Sequence, residues 1–155
     1  MKLDDIGKIY YFAYGHNTDS EVLKRRAPSA VFIGNALLKN FKLTFKDFSN
    51  IENQDGARVQ GILWHIDRAD LKNLDHDEGY HEHYNRIPVE VHCEGSVYQA
   101  TTYIMDPNYV ADSTPSSSYI TDMMKGYREH GIPVIQIKRA LEELKRSTNR
   151  SFETI

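Results

Sequence analysis

Two short segments of this chain hold residues that could move a proton and hold an anion. The first, Leu74-Asp75-His76-Asp77-Glu78-Gly79-Tyr80, crowds carboxylates together where a helix should hand over to a strand. Neighbouring negative charge and partial burial both raise a carboxyl pKa toward the range of a general base. Glu78 is the candidate, since it abuts Gly79 and has the longest of the clustered acidic side chains. Asp75 and Asp77 then read as helix-end or loop charges that tune it, although a solvated acidic loop would have the same composition. The second segment is Gly15-His16-Asn17. It interrupts the apolar run Ile9-Tyr10-Tyr11-Phe12-Ala13-Tyr14 and precedes the capping residues Thr18-Asp19-Ser20. Glycine lets the backbone turn without a Cβ in the way, and asparagine tolerates unusual dihedrals. A strand, a tight turn and a capped helix start aim backbone N–H groups at one point, which suits a carboxylate or a developing oxyanion. An ordinary buried strand ending in a turn is the plainer reading of the same residues.

The elements that would position these segments follow from periodicity. Residues 9–14 are aromatic and β-branched, as in a buried strand. Residues 29–34 and 41–45 read as strand segments, 50–58 as a polar loop, and 59–66 as a strand. A short capped helix is expected near 68–75. Strands follow at 84–93 and 97–105, with Glu94-Gly95 as a hairpin turn. Residues 119–131 have helical spacing with Gly131 as a stop, and Ile137, Ala140, Leu141 and Leu144 mark a last amphipathic helix that frays beyond 147. Strands first and helices last make an α+β class.

Composition narrows the function. At 155 residues with 40% hydrophobic and 26% charged content, a single domain over 1–155 with its own core is expected. A net charge of −3 argues against a nucleic-acid binder, and Lys24-Arg25-Arg26 is too small a cluster to reverse that. The lone Cys93 has no disulfide partner within the chain and lies in an alternating stretch, so a strand cysteine in a reducing cytoplasm is expected. No apolar stretch is long enough for a membrane helix, and the first residues are too polar for a secretory signal. His76, His81 and His83 beside Asp77, Glu78 and Glu82 have the residue types of a metal site; a solvated, titrating surface is favoured, so no metal is expected.

Residues 11–17 (YFAYGHN) and 74–79 (LDHDEG) resemble the signature loop and the acidic motif of the γ-glutamylcyclotransferase family. Residues 59–66 are similar to that family's V-x-G-[VI]-[VL]-W strand, and the likeness runs in order and spacing from about residue 10 to 144. It departs at His16, where the family usually has Ser, and at Thr18, where it usually has Leu. The resemblance implies a small mixed β-barrel flanked by helices. It further implies intramolecular aminolysis of a γ-glutamyl compound to 5-oxoproline, with Glu78 taking and returning the proton. Tyr11, Phe12, Ala13, Tyr14, Gly15, His16, Asn17, Tyr84 and Tyr119 would contact the substrate. A small γ-glutamyl molecule is the expected partner, without cofactor, nucleic acid or membrane, and a homodimer is left open. The alternatives are cleavage of γ-glutamylamines, removal of a γ-glutamyl group from a larger molecule such as an antibiotic precursor, and a binding module without turnover.

Overall fold

The aromatic run forms the first strand, β1 (Lys8–Ala13), which pairs antiparallel with β3 (Phe48–Asp67) from Lys8↔Asp67 to Ala13↔Ile62. The computed structural model describes residues 7–78, 83–110 and 114–153, with the backbone alone at 77, 78 and 148–153. After α1 (Ser20–Arg26) come β2 (Val31–Lys46), β3, α2 (Leu71–Glu78), β4 (Tyr84–Cys93), β5 (Ser96–Met105), α3 (Ser117–Glu129) and α4 (Ile135–Glu153). The strands close into a barrel in the order β1-β3-β2-β4-β5, and a parallel contact at Tyr11↔Thr101 completes the ring. This is the expected mixed barrel with helices around it.

Two of the strand expectations change. The segments 29–34 and 41–45 belong to one strand, β2, bent by register shifts between Phe32 and Gly34 and between Lys39 and Phe41. The expected loop over 50–58 is ladder for much of its length, with Asn50 opposite Thr44 and Asn53 opposite Phe41. Its polarity misleads because residues 52–56 face solvent, while strand pairing needs only their backbone. The hairpin turns at Asp47, whose φ of 65° is left-handed. At the β4–β5 hairpin, Glu94 and Gly95 both have positive φ, as a tight two-residue turn requires.

Trp64, Phe12, Ile62, Leu63 and Ile66 are among the side chains sealed from solvent. Gly61 lies beside Phe12, and a Cβ there would come within 2.7 Å of the Phe12 ring. Ile137 and Ala140 bury one face of α4, which remains helical to Glu153 rather than fraying after 147. Cys93 is buried at the end of β4, and burial pushes its thiol pKa up, away from a reactive thiolate. Among the described residues no helix is long and apolar enough to cross a membrane.

Candidate active site

Beyond β1 the chain passes through Gly15 into a 3-10 turn, His16–Thr18, and then into α1. Asp19 caps α1, its Oδ1 accepting from Glu21 N at 2.9 Å and Val22 N at 3.3 Å. Neither Gly15 (φ −119°) nor Asn17 is left-handed. The dihedral reason expected for these residues therefore gives way to space and bonding. A Cβ on Gly15 would run into Ser49 Oγ and stand 3.3 Å from Ser49 Cβ. Asn17 is buried, donates Nδ2 to Tyr11 Oη at 2.9 Å and accepts from Arg26 Nη1 at 2.7 Å.

Helix α3 closes on the turn from the other side. At Gly126 a Cβ would sit 2.7 Å from Asp19 N and against Thr18 Oγ1, so only glycine allows this approach. Thr18 is fully buried and donates its hydroxyl to Gly15 O at 2.7 Å, an internal brace that leucine could not form. Two turns before Gly126, Tyr119 lies on the same helix face. The approach of α3 thereby fixes Tyr119 beside the turn.

A cavity of about 300 Å³ lies among these elements. Of the residues named from the sequence, Tyr11, Tyr14, Gly15, His16, Asn17, Tyr84 and Tyr119 line it. Phe12 and Ala13 do not reach its wall; Phe12 is fully buried toward Gly61. Among the described residues, Arg26, Phe48, Ser49, His83 and Tyr103 also line it, and none of them is named from the sequence as a site residue. Arg26 could have been noticed as the end of a capped helix following the turn, but Ser49 and Phe48 come from a hairpin far away in sequence.

Hydroxyl directions decide what the tyrosines can offer. Tyr14 donates to Tyr103 O at 2.7 Å, Tyr84 to Ser49 O at 2.6 Å, and Tyr103 to Asp75 Oδ1 at 2.5 Å. Each has one proton, so each donor is assigned to protein. Tyr119 Oη accepts from Ser49 N at 3.2 Å and pairs with Ser49 Oγ at 2.8 Å. Tyr84 and Tyr119 thus clamp Ser49 from two sides. Tyr127, whose hydroxyl is pushed up in pKa by burial, donates to Tyr14 O at 2.7 Å and holds the far end of β1.

The acidic segment meets this cavity through Asp75. Its Oδ1 takes the Tyr103 proton and lies 3.2 Å from Arg86 Nε, tying α2 to both β4 and β5. Asp75 is a tether and not merely a charge near Glu78. Residue 78 ends α2 three positions later, on the neighbouring part of the same helix face. The Glu78 and Asp77 side chains, and Gly79, Tyr80, His81 and Glu82, lie outside the described residues, so the weighed histidine cluster is represented by His76 and His83 alone.

His16 places Nε2 3.5 Å from Asp122 Oδ2 and its ring 5.5 Å from that of Tyr119. Burial, with the Arg26 guanidinium, lowers its pKa below the ordinary 6.5 despite the opposing pull of Asp122. The ring is therefore neutral at neutral pH.

A family model described as "Gamma-glutamyl cyclotransferase, AIG2-like" matches residues 11–121. The chain is 33% identical over 137 residues to a gamma-glutamylcyclotransferase of Mus musculus, covering 79% of this chain and 72% of that protein. It is 31% identical over 149 residues to one of Bos taurus, covering 86% and 78% respectively. A solved structure of a gamma-glutamyl cyclotransferase superposes with a TM-score of 0.76 at 30% identity, over 85% of this chain and 86% of that one.

Proposed function

The chain belongs to the gamma-glutamyl cyclotransferase, AIG2-like family, and on that premise we propose that it cyclises a γ-glutamyl group to 5-oxoproline, releasing an amino acid or amine. The substrate's α-ammonium first gives a proton to the Glu78 carboxylate. The freed amine attacks the γ-carbonyl carbon, forming the lactam C–N bond and a tetrahedral oxyanion. Collapse of that oxyanion breaks the bond to the leaving nitrogen, which takes the proton from Glu78; the ring nitrogen then gives its second proton to the Glu78 carboxylate, which passes it to the released amine, leaving a neutral lactam and an ammonium. The nucleophile is tethered to its target, so the protein's main task is to hold the reactive conformer. The backbone N–H groups at the start of the 3-10 turn, around Gly15, His16 and Asn17, are suited to the substrate carboxylate or the oxyanion, because the first N–H groups of a helical turn lack intrahelical acceptors. The reaction so written moves protons and one acyl bond, and needs no metal or organic cofactor.

The observation that supports this reading best is the Tyr103–Asp75 bond at 2.5 Å, which draws the last turn of α2 to a cavity that also includes the Gly15-His16-Asn17 turn. The test is 5-oxoproline release from γ-glutamyl dipeptides and amides by the parent and by Glu78→Gln. The variant keeps shape and hydrogen bonding but cannot accept the proton, so kcat should fall on the order of 10²–10⁴-fold with binding retained. Parent-rate turnover by Glu78→Gln would remove Glu78 from the mechanism. Binding without release by the parent would favour the binding module.

A further inference from the structure

We propose that the outer half of the cavity selects γ-glutamyl compounds whose leaving group carries an apolar side chain, an aromatic one above all. This inference rests on the cyclotransferase reading and concerns the half of the substrate which that reading leaves open. By burial and chemistry the residues lining the cavity fall into two groups. Tyr11, Tyr14, Asn17, Ser49 and Tyr103 are buried and bring polar atoms to its wall, while Arg26 brings a guanidinium. That half suits the γ-glutamyl head, whose α-carbon carries both an ammonium and a carboxylate.

The other half has a different character. Phe48 is 41% exposed, and its ring meets Tyr119 at a centroid distance of 5.5 Å and an angle of 66°. The Tyr119 ring meets His16 in turn at 5.5 Å. These three rings form a continuous border, with the Tyr119 hydroxyl turned to Ser49 and its ring set between Phe48 and His16. The neutral state of His16 keeps the border from becoming a cation. An isolated exposed phenylalanine needs no explanation, but adjoining rings beside a cavity gain from an apolar partner of matching shape. With the charged head in the polar half, the γ-amide bond delivers the leaving group to these rings. Among the described residues, the exposed Asp122 carboxylate beside His16 is a competing feature, which would favour a cationic leaving group.

The test is kcat/KM for 5-oxoproline release from γ-Glu-Gly, γ-Glu-Ala, γ-Glu-Leu, γ-Glu-Phe and the ε-linked γ-glutamyl-lysine. The expected order rises from glycine to phenylalanine by about tenfold or more, chiefly through KM. Phe48→Ala should collapse the phenylalanine-to-glycine ratio, and Phe48→Leu should restore preference for leucine. The exposure of Phe48 makes misfolding a poor explanation, and unchanged thermal midpoints would check this. A flat order, a preference for glycine or the ε-lysyl compound, or a ratio that Phe48→Ala leaves unchanged overturns the inference while the cyclotransferase reading stands. Release from none of the five compounds overturns both.

Discussion

Replacing Asp75 should loosen the end of α2 and slow the reaction, although the residue takes no part in proton transfer. Its carboxylate accepts the Tyr103 proton at 2.5 Å and pairs with Arg86 Nε at 3.2 Å. A hydrogen bond to a charged group contributes about 1.5–3 kcal/mol, and a partly exposed ion pair about 0–1 kcal/mol. The Asp75 side chain is 16% exposed and that of Arg86 34%, so the tyrosine bond dominates. Asp75→Ala should therefore cost about 2–4 kcal/mol, and Asp75→Asn, which keeps an acceptor, about 1 kcal/mol. If half of the Asp75→Ala cost is lost from positioning residue 78, kcat falls about 5- to 30-fold, at about 1.4 kcal/mol per decade. Urea unfolding gives the first quantity, and steady-state kinetics under fully folded conditions give the second. Tyr103→Phe supplies the control, and the two changes should couple by about 1 kcal/mol or more in a double-mutant cycle. Additive effects, or an Asp75→Ala protein as stable and as active as the parent, would refute the tether.

Gly15→Ala should destabilise by about 1–3 kcal/mol and abolish most turnover, because Ser49 is held by Tyr84 and Tyr119 and cannot retreat from the new methyl. Ser49→Gly in the same chain should recover much of the stability, and failure to do so in urea titrations would show that the clash is not with Ser49. The lowered pKa of His16 means that the unfolded chain takes up this proton first as pH falls through 6.5. Stability should thus decline below that pH until the folded ring protonates. His16→Asn should flatten this decline, and urea midpoints with the same pH slope as the parent would count against it. His16→Ser should keep measurable turnover and alter mainly the order of leaving groups, which the release assay reads directly.

Local sequence determined much of this molecule because the relevant physics is local. The aromatic run of β1, the Glu94-Gly95 turn, the Asp19 cap and the helical spacing around Tyr119 each depend on a few neighbouring residues. The motif at 11–17 and the acidic segment at 74–79 were legible for the same reason, and together they indicated the barrel and its family. Polarity misled at 50–58, where solvent-facing side chains ride on a paired backbone. Other features arise only when distant segments meet. Gly15 is glycine because Ser49 occupies its side-chain space, and Gly126 because Thr18 and Asp19 lie against it. Asp75 becomes a tether through Tyr103 and Arg86, and Phe48 borders the cavity because the β2–β3 hairpin carries it there. A single chain reports the residue types at these positions but not which hydroxyl proton is already assigned, or which ring stands beside which. Those relations come from barrel closure and the docking of α2 and α3, because hydrogen bonds and packing contacts are decided over a few ångströms between residues tens of positions apart.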